Sequence, residues 1–243
     1  MIIWQKVKKD YFFNNNSDQF NSKKWLSIIS KRVKLNFGVL KKSNYLNQFI
    51  STSPLPIMLL GETKRKIRIA DFGSGSQELF FQLSLMKLKK NIEVDSIEVE
   101  KLIKSFKKNK KFKNKEIKIN FLKELNFKRI YDYVHISDSL QYVDNWRVFL
   151  KKINMKKHKY LILNNIAAGK NKTYITKQAF YGEEIKNIFF SIDEISKILN
   201  SYKLVFKTFY LNKIKGEYKP YPQNNFKKKD RIGYPKTLIF KKK

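Results

Sequence analysis

The sequence predicts an α/β chain: a doubly wound, mostly parallel sheet of seven strands with helices on both faces, preceded by a helical N-terminal segment. Three observations predict it. From Lys66 onward, short runs of β-branched and aromatic residues alternate with amphipathic stretches of helical spacing. One run, KYLILNNI (159–166), is nearly continuous in apolar residues, as expected of a strand covered on both faces. The chain has 243 residues, 42% of them hydrophobic and 15% aromatic, enough for one main core with an appendage and too few for two full-sized enzymatic domains.

Residues 1 to about 60 read as helical, with Trp4, Tyr11, Phe12, Phe20, Trp25, Leu26 and Ile29 spaced among polar residues. STSPLP (51–56) and the Gly61 region read as a linker, so the expected division is an N-terminal lid or substrate-recognition segment over 1–62 and a sheet domain over 63–243. KIRIADF (66–72) is the first strand, and QELFFQLSLMKL (77–88) the helix after it. IEVDSIEV (92–99) is the second strand, followed by the helical EKLIKSFKKNKKF (100–112). IKINFL (117–122) and YDYVHIS (131–137) are the third and fourth, WRVFLKKI (146–153) a helix, and KYLILNNI the fifth strand. In SIDEISKILNSY (191–202), Ser191 with Glu194 three residues later forms a capping box that opens a helix. YKLVFKTFYL (202–211) and PKTLIFKK (235–242) supply the last two strands; no helix separates them, so the final strand is expected to enter antiparallel. Strands joined through helices imply right-handed crossovers and a Rossmann-like sheet.

Composition excludes several chemistries. With no cysteine there is no disulfide, thiolate ligand or cysteine nucleophile. The two histidines, His135 and His158, lie far apart with no acidic cluster at ligand spacing, so no metal site is expected. MIIWQKVKKDYFF lacks the apolar run of a secretory signal, and the uncharged STSPLPIMLLG is too short to span a bilayer, so a cytoplasmic chain is expected. The formal net charge of +33 is compatible with nucleic acid, an anionic membrane surface or a phosphorylated ligand. Lysines spread along the whole sequence, however, are equally the mark of a biased base composition, and charge alone names no partner.

In a doubly wound sheet, ligands bind beyond the carboxyl ends of the strands where the strand order reverses. The first strand leads there through Asp71 to the turn Gly73-Ser74-Gly75, whose glycines allow close backbone approach while the next helix offers free N–H groups. The second strand leads to Glu98 or Glu100, either placed to accept from ribose hydroxyls. A dinucleotide fingerprint would need glycine at position 78, which is Glu78, and a carboxylate at Asp71 suits a cofactor with a positive end better than a pyrophosphate.

With those residues the sequence resembles the class I methyltransferases that use S-adenosylmethionine. The resemblance covers about residues 66 to 210 and implies cofactor contacts from Asp71, Gly73, Ser74, Gly75 and Glu98. It matches Asp132 to the aspartate of the fourth-strand segment, and Ser137, Asp138 and the residues up to Tyr142 to the loop facing cofactor and acceptor. The third glycine of the family pattern is replaced by Gln77, and no acid follows the third strand. DFGSGSQELFFQL, SDSLQYVDNW, Gln178 and IFFSIDEISKIL together resemble a group of methyltransferases associated with bacterial surface-polysaccharide clusters, which implies a saccharide or glycan precursor as acceptor.

A hydroxyl acceptor benefits from a general base. His135 and Tyr142 are the catalytic candidates, with Asp138 and Gln141 as alternatives on the same loop. No Asp/Asn-Pro-Pro-aromatic motif follows the fourth strand, where amino-group methylation of nucleic-acid bases places it, and without cysteine the covalent route to a pyrimidine carbon is closed. RNA methylation at another position, and a non-catalytic module that only binds S-adenosylmethionine, are the alternatives.

Overall fold

A computed structural model describes residues 3–8, 11, 13, 19–42, 53–86, 88–109, 111–209, 213–214, 217–218 and 220–243. Phe12, Ser51, Thr52, Tyr210 and Leu211, each included in an expected element or linker, lie outside them. In chain order the elements begin with β1 (Trp4–Lys6), α1 (Lys23–Lys42), α2 (Leu55–Leu60), β2 (Lys66–Phe72), α3 (Glu78–Met86) and β3 (Asn91–Ile97). There follow α4 (Glu100–Lys108), β4 (Ile117–Leu122), β5 (Tyr133–Ser137), α5 (Trp146–Asn154), β6 (Tyr160–Ile166), β7 (Ala168–Gly169), β8 (Tyr174–Phe180) and β9 (Glu183–Ser191). The chain ends with α6 (Ile192–Ile198), β10 (Tyr202–Phe209), β11 (Lys213–Ile214), β12 (Glu217–Tyr218) and β13 (Lys236–Lys242).

Seven strands hydrogen-bond in the order β10-β13-β6-β5-β2-β3-β4, the mostly parallel sheet that the sequence predicts. The chain divides into two compact units, one of residues 20–137 and one of residues 1–19 with 138–243.

In the 20–137 unit, β5, β2, β3 and β4 are all parallel, and the strand order reverses at β2, which has β3 on one side and β5 on the other. Ile67 and Ile69 of β2 and Val94 of β3 are fully buried between layers that include Phe80 and Phe81 of α3 and Leu102, Ile103 and Phe106 of α4. Each such side chain contributes roughly 1.5–3 kcal/mol by leaving water. The presumed linker contains a helix instead: α2 starts with Pro54 as its N-cap residue and buries Leu55 and Leu59. Prolines are tolerated there because the first turn has no intrahelical acceptor for its N–H groups.

One polar network ties the sheet together near the strand beginnings. Asp95 of β3, 1% exposed, accepts from Arg129 Nη1 on both oxygens, at 2.9 and 3.1 Å, and from the Tyr131 hydroxyl and Asn120 Nδ2, each at 2.8 Å. Arg129 Nη2 also donates to Glu93 at 2.7 Å. Asp132 works at the same end: it accepts from the Arg68 backbone N–H at 2.9 Å and pairs with Lys64, holding the entry to β5 beside β2.

In the second unit β13 lies antiparallel to both β6 and β10, as the missing crossover helix implies. Trp4 is in a strand, whereas the sequence reads as helical there: β1 pairs with β8, and Trp4 packs edge-on against Tyr221 at 4.8 Å in a cluster with Phe189, Phe226 and Ile232. Tertiary pairing overrides helical spacing in so short a segment. The stretch after β6 holds a hairpin that periodicity alone does not reveal. Its strands β8 and β9 meet at Phe180↔Glu183 across a two-residue turn, with Tyr181 at φ 53° and Gly182 at φ 94°. Two positive φ values in succession are the twist-matched hairpin geometry. Ser191 caps α6, its side chain accepting from the Glu194 N–H.

Replacing Arg129 by Met leaves the buried Asp95 carboxylate without its cation, so Arg129→Met is expected to cost about 3–5 kcal/mol, read as a lowered urea midpoint. A change below about 0.5 kcal/mol would mean that Asp95 is satisfied by its neutral donors alone.

Candidate functional site

Between β2 and α3 the backbone takes three positive φ values, at Gly73 (69°), Gly75 (50°) and Gln77 (61°). Two fall on glycine, which adopts them freely; the third does not. Gln77 instead has its side chain braced beneath the loop, 1% exposed. Its Nε2 donates to Ser74 Oγ at 2.7 Å, and its Oε1 accepts from Ser96 Oγ at 3.1 Å. Because the Ser96 proton is committed to Gln77, the 2.7 Å contact between the two serines has Ser74 as donor. The three side chains form a closed ring in which every member donates once and accepts once. At the position where the family pattern has glycine, Gln77 thus holds a positive φ and its side chain ties the loop to β3.

Glu98 follows β3 directly. One carboxylate oxygen accepts from the Gly75 N–H at 2.5 Å and the other from the Val99 N–H at 3.0 Å. Burial pushes its carboxyl up to about 7, against the two backbone N–H bonds and with a further push from the Asp71 charge. A buried carboxylate in that state favours added hydroxyl donors, which stabilise the charged form. Gly73 N–H is bonded to Ile97 O at 3.0 Å, so β3 grips the loop at two successive glycines.

Asp71 and His135 occupy paired positions on β2 and β5, both 3% exposed, with Asp71 Oδ1 and His135 Nδ1 2.7 Å apart. His135 thus holds the Asp71 carboxylate inside the sheet, while its Nε2 has no partner among the described residues. Ser137 ends β5, half-buried.

The second unit holds the remaining candidates. Asp138 is exposed, has φ 50°, and accepts from Gln141 Nε2 at 2.6 Å. Tyr142 is half-buried, and its hydroxyl donates to Gln178 Oε1 of β8 at 3.1 Å, an oxygen that also accepts from Asn187 Nδ2 of β9 at 2.8 Å. Burial, helped by the Asp138 charge, holds the Tyr142 phenol well above its ordinary range. Tyr142 is therefore a hydrogen-bond donor at neutral pH, and the role of base does not suit it. Gln141 Oε1 and Asn187 Oδ1 are buried with no partner among the described residues. Sequence reading missed Asn187 because it lies in the hairpin, and missed Ser96 because a strand interior gives no polar signal. Among the described residues no group of three or more His, Asp or Glu side chains could hold a metal, and no helix is long and apolar enough to cross a membrane.

The seven-stranded sheet is a Rossmann-like fold shared with methyltransferases solved with S-adenosylhomocysteine or S-adenosylmethionine. Magnesium protoporphyrin IX methyltransferase from Synechocystis PCC 6803, solved with S-adenosylhomocysteine, superposes with a TM-score of 0.52 at 14% identity over 94% of this chain and 98% of its own. Its complex with S-adenosylmethionine gives 0.51 at 13% identity, over 97% and 100% of the two chains. A complex of the Haloferax volcanii Trm112 methyltransferase activator with a methyltransferase gives 0.50 at 9% identity, over 95% and 99%. No family model matches the sequence, and no curated protein does.

Gln77→Gly relieves about 1 kcal/mol of positive-φ strain but opens the ring, leaving the buried Ser96 hydroxyl without its acceptor and Ser74 without its donor, so a net loss of roughly 1 kcal/mol is expected in chemical denaturation. A more stable variant would show that the hydrogen-bonded ring contributes less than the strain.

Proposed function

We propose that this chain is an S-adenosylmethionine-dependent methyltransferase whose acceptor is a small, uncharged, hydroxyl-bearing molecule, with a saccharide or glycan precursor of surface polysaccharide as the leading class. The observation that carries the reading is the buried Glu98 carboxylate bonded to the Gly75 N–H, a ribose-binding acid and a glycine loop locked to each other. When bound, the cofactor supplies a methyl group already activated on a sulfonium.

The chain's own residues then have three tasks. Glu98 accepts from the ribose hydroxyls, and the 73–77 loop at the start of α3 brings backbone N–H groups close to the ligand. Asp71, held by His135, adds a negative charge that suits a cationic donor. The acceptor falls to the neutral set Gln141, Tyr142, Gln178 and Asn187, whose spare amide oxygens accept from hydroxyls. Amide oxygens beside the Asp138 carboxylate do not compensate an anionic acceptor, which supports a hydroxyl-bearing one without negative charge. Asp138, exposed on the loop after β5, is the base that takes the acceptor proton as in-line displacement proceeds.

Calorimetric titration with S-adenosylmethionine tests the first half: wild type binds, and Glu98→Gln weakens binding at least about tenfold. Absence of binding by the wild type would overturn the assignment. The pH dependence has a definite sign. The ionised form of Glu98 binds the hydroxyls, so affinity is full above about 7 and falls as pH drops through that value. Glu98→Gln is expected to flatten this profile.

Transfer of labelled methyl to nucleotide sugars and neutral glycosides tests the second half. Gln178→Leu is expected to cut transfer more than about tenfold with cofactor binding unchanged. Transfer only to carboxylated acceptors would reject the neutral class.

A further inference from the structure

Two adjoining hollows in the 20–137 unit lie outside everything assigned above. The larger, about 660 Å³, has Ser30, Val33, Lys34, Phe37, Gly38 and Lys41 of α1 along one wall. The end of α4 and the turn after it form the other, with Phe106, Lys108, Asn109 and Lys111. The smaller, about 460 Å³, continues from Phe106 and Asn109 to Lys107, Phe112, Lys113, Asn120 and Phe121 of β4. Six exposed lysines therefore follow one track, and among the described residues no carboxylate lines either hollow.

The pairing of nearby lysines sets this track apart from general basicity. Lys104 and Lys123 are both paired with Glu100, and Lys118 with Glu93. Lys34, Lys41, Lys107, Lys108, Lys111 and Lys113 have no carboxylate partner among the described residues. Lys34 and Lys41 are two helical turns apart on one face of α1, about 10 Å along the axis, so each meets a different anionic group. Opposed lysines on two walls put positive charge on both sides of whatever lies between them. A flat bilayer cannot enter such a groove, whereas a single strand with repeating phosphates can. Beneath the lysines lie half-buried rings, Phe37 and Phe121, with Lys111 Nζ 5.9 Å from the Phe37 centroid. Lysine walls over an aromatic floor are the surface that tracks a single-stranded backbone.

We infer that this lysine-walled track between α1, the end of α4 and β4 binds single-stranded nucleic acid through its phosphates, without reading sequence. It stands independently of the cofactor and acceptor assignments.

The test is fluorescence anisotropy with a labelled 20-nucleotide oligouridylate on the full chain. Six phosphate contacts give a slope of about −4 in log K against log salt, a loss of roughly 300-fold between 50 and 200 mM. Substituting Lys34, Lys41, Lys108 and Lys111 together by Gln is expected to remove about three units of that slope and more than about thirtyfold of the affinity near 100 mM salt. The matched control substitutes Lys151, Lys157, Lys197 and Lys203, exposed lysines of the other unit, and lowers the net charge by the same four. It should retain the slope and bind within about threefold of wild type. Circular dichroism verifies that both variants are folded. Equal losses in the two variants would reduce the binding to overall charge and overturn the proposal, as would no binding by the wild type. Loss of binding to phosphatidylglycerol vesicles in the track variant, with oligouridylate unaffected, would assign the surface to a membrane and overturn it as well.

Discussion

The Gly75 N–H and the Glu98 carboxylate set the constraint around which the ligand edge of the sheet is built. A loop that offers its backbone to a ligand cannot bury its N–H groups in ordinary secondary structure, yet it must not wander. Here the carboxylate at the end of β3 accepts from Gly75, the Ile97 carbonyl accepts from Gly73, and Ser96 holds Gln77. Three consecutive residues of one strand thus define the path of a loop that follows another. The parallel register of β2 and β3 makes this available, since it brings Phe72 level with Ile97 at the point where both strands end.

The same economy explains the pairing of Asp71 with His135. A carboxylate desired near a cationic ligand would be costly to bury alone, and a neighbouring strand supplies a partner at equal register. The histidine that looks catalytic in isolation is thereby committed to a second residue. In the other unit Tyr142, Gln178 and Asn187 bond to one another, Gln141 donates to Asp138, and the Gln141 and Asn187 amide oxygens are without a partner among the described residues.

The large positive charge separates into two populations. Some lysines serve the fold: Lys64 closes onto Asp132, and Lys186 onto Asp144. Others, as along the α1 and α4 walls, have no carboxylate partner among the described residues and repel one another, at a cost to stability that an anionic ligand would remove. Net charge read from composition averages over both.

The sequence by itself determined the strand and helix order from Lys66 to Ile166, the antiparallel last strand, the Ser191 cap with its helix, and the glycine loop. These are local: periodicity, turn residues and capping act within a few positions. Only the tertiary structure decided what happens to Trp4, which joins a sheet because β8 and an aromatic cluster are there to receive it. It likewise decided the role of Gln77, whose departure from glycine is compensated by Ser74 close by and Ser96 nineteen residues away. It also committed His135 to Asp71 and gathered Tyr142, Gln178 and Asn187 into one cluster. The physical reason is common to all of them: a side chain's chemistry depends on which distant groups desolvate it and bond to it, and folding alone brings those groups within reach.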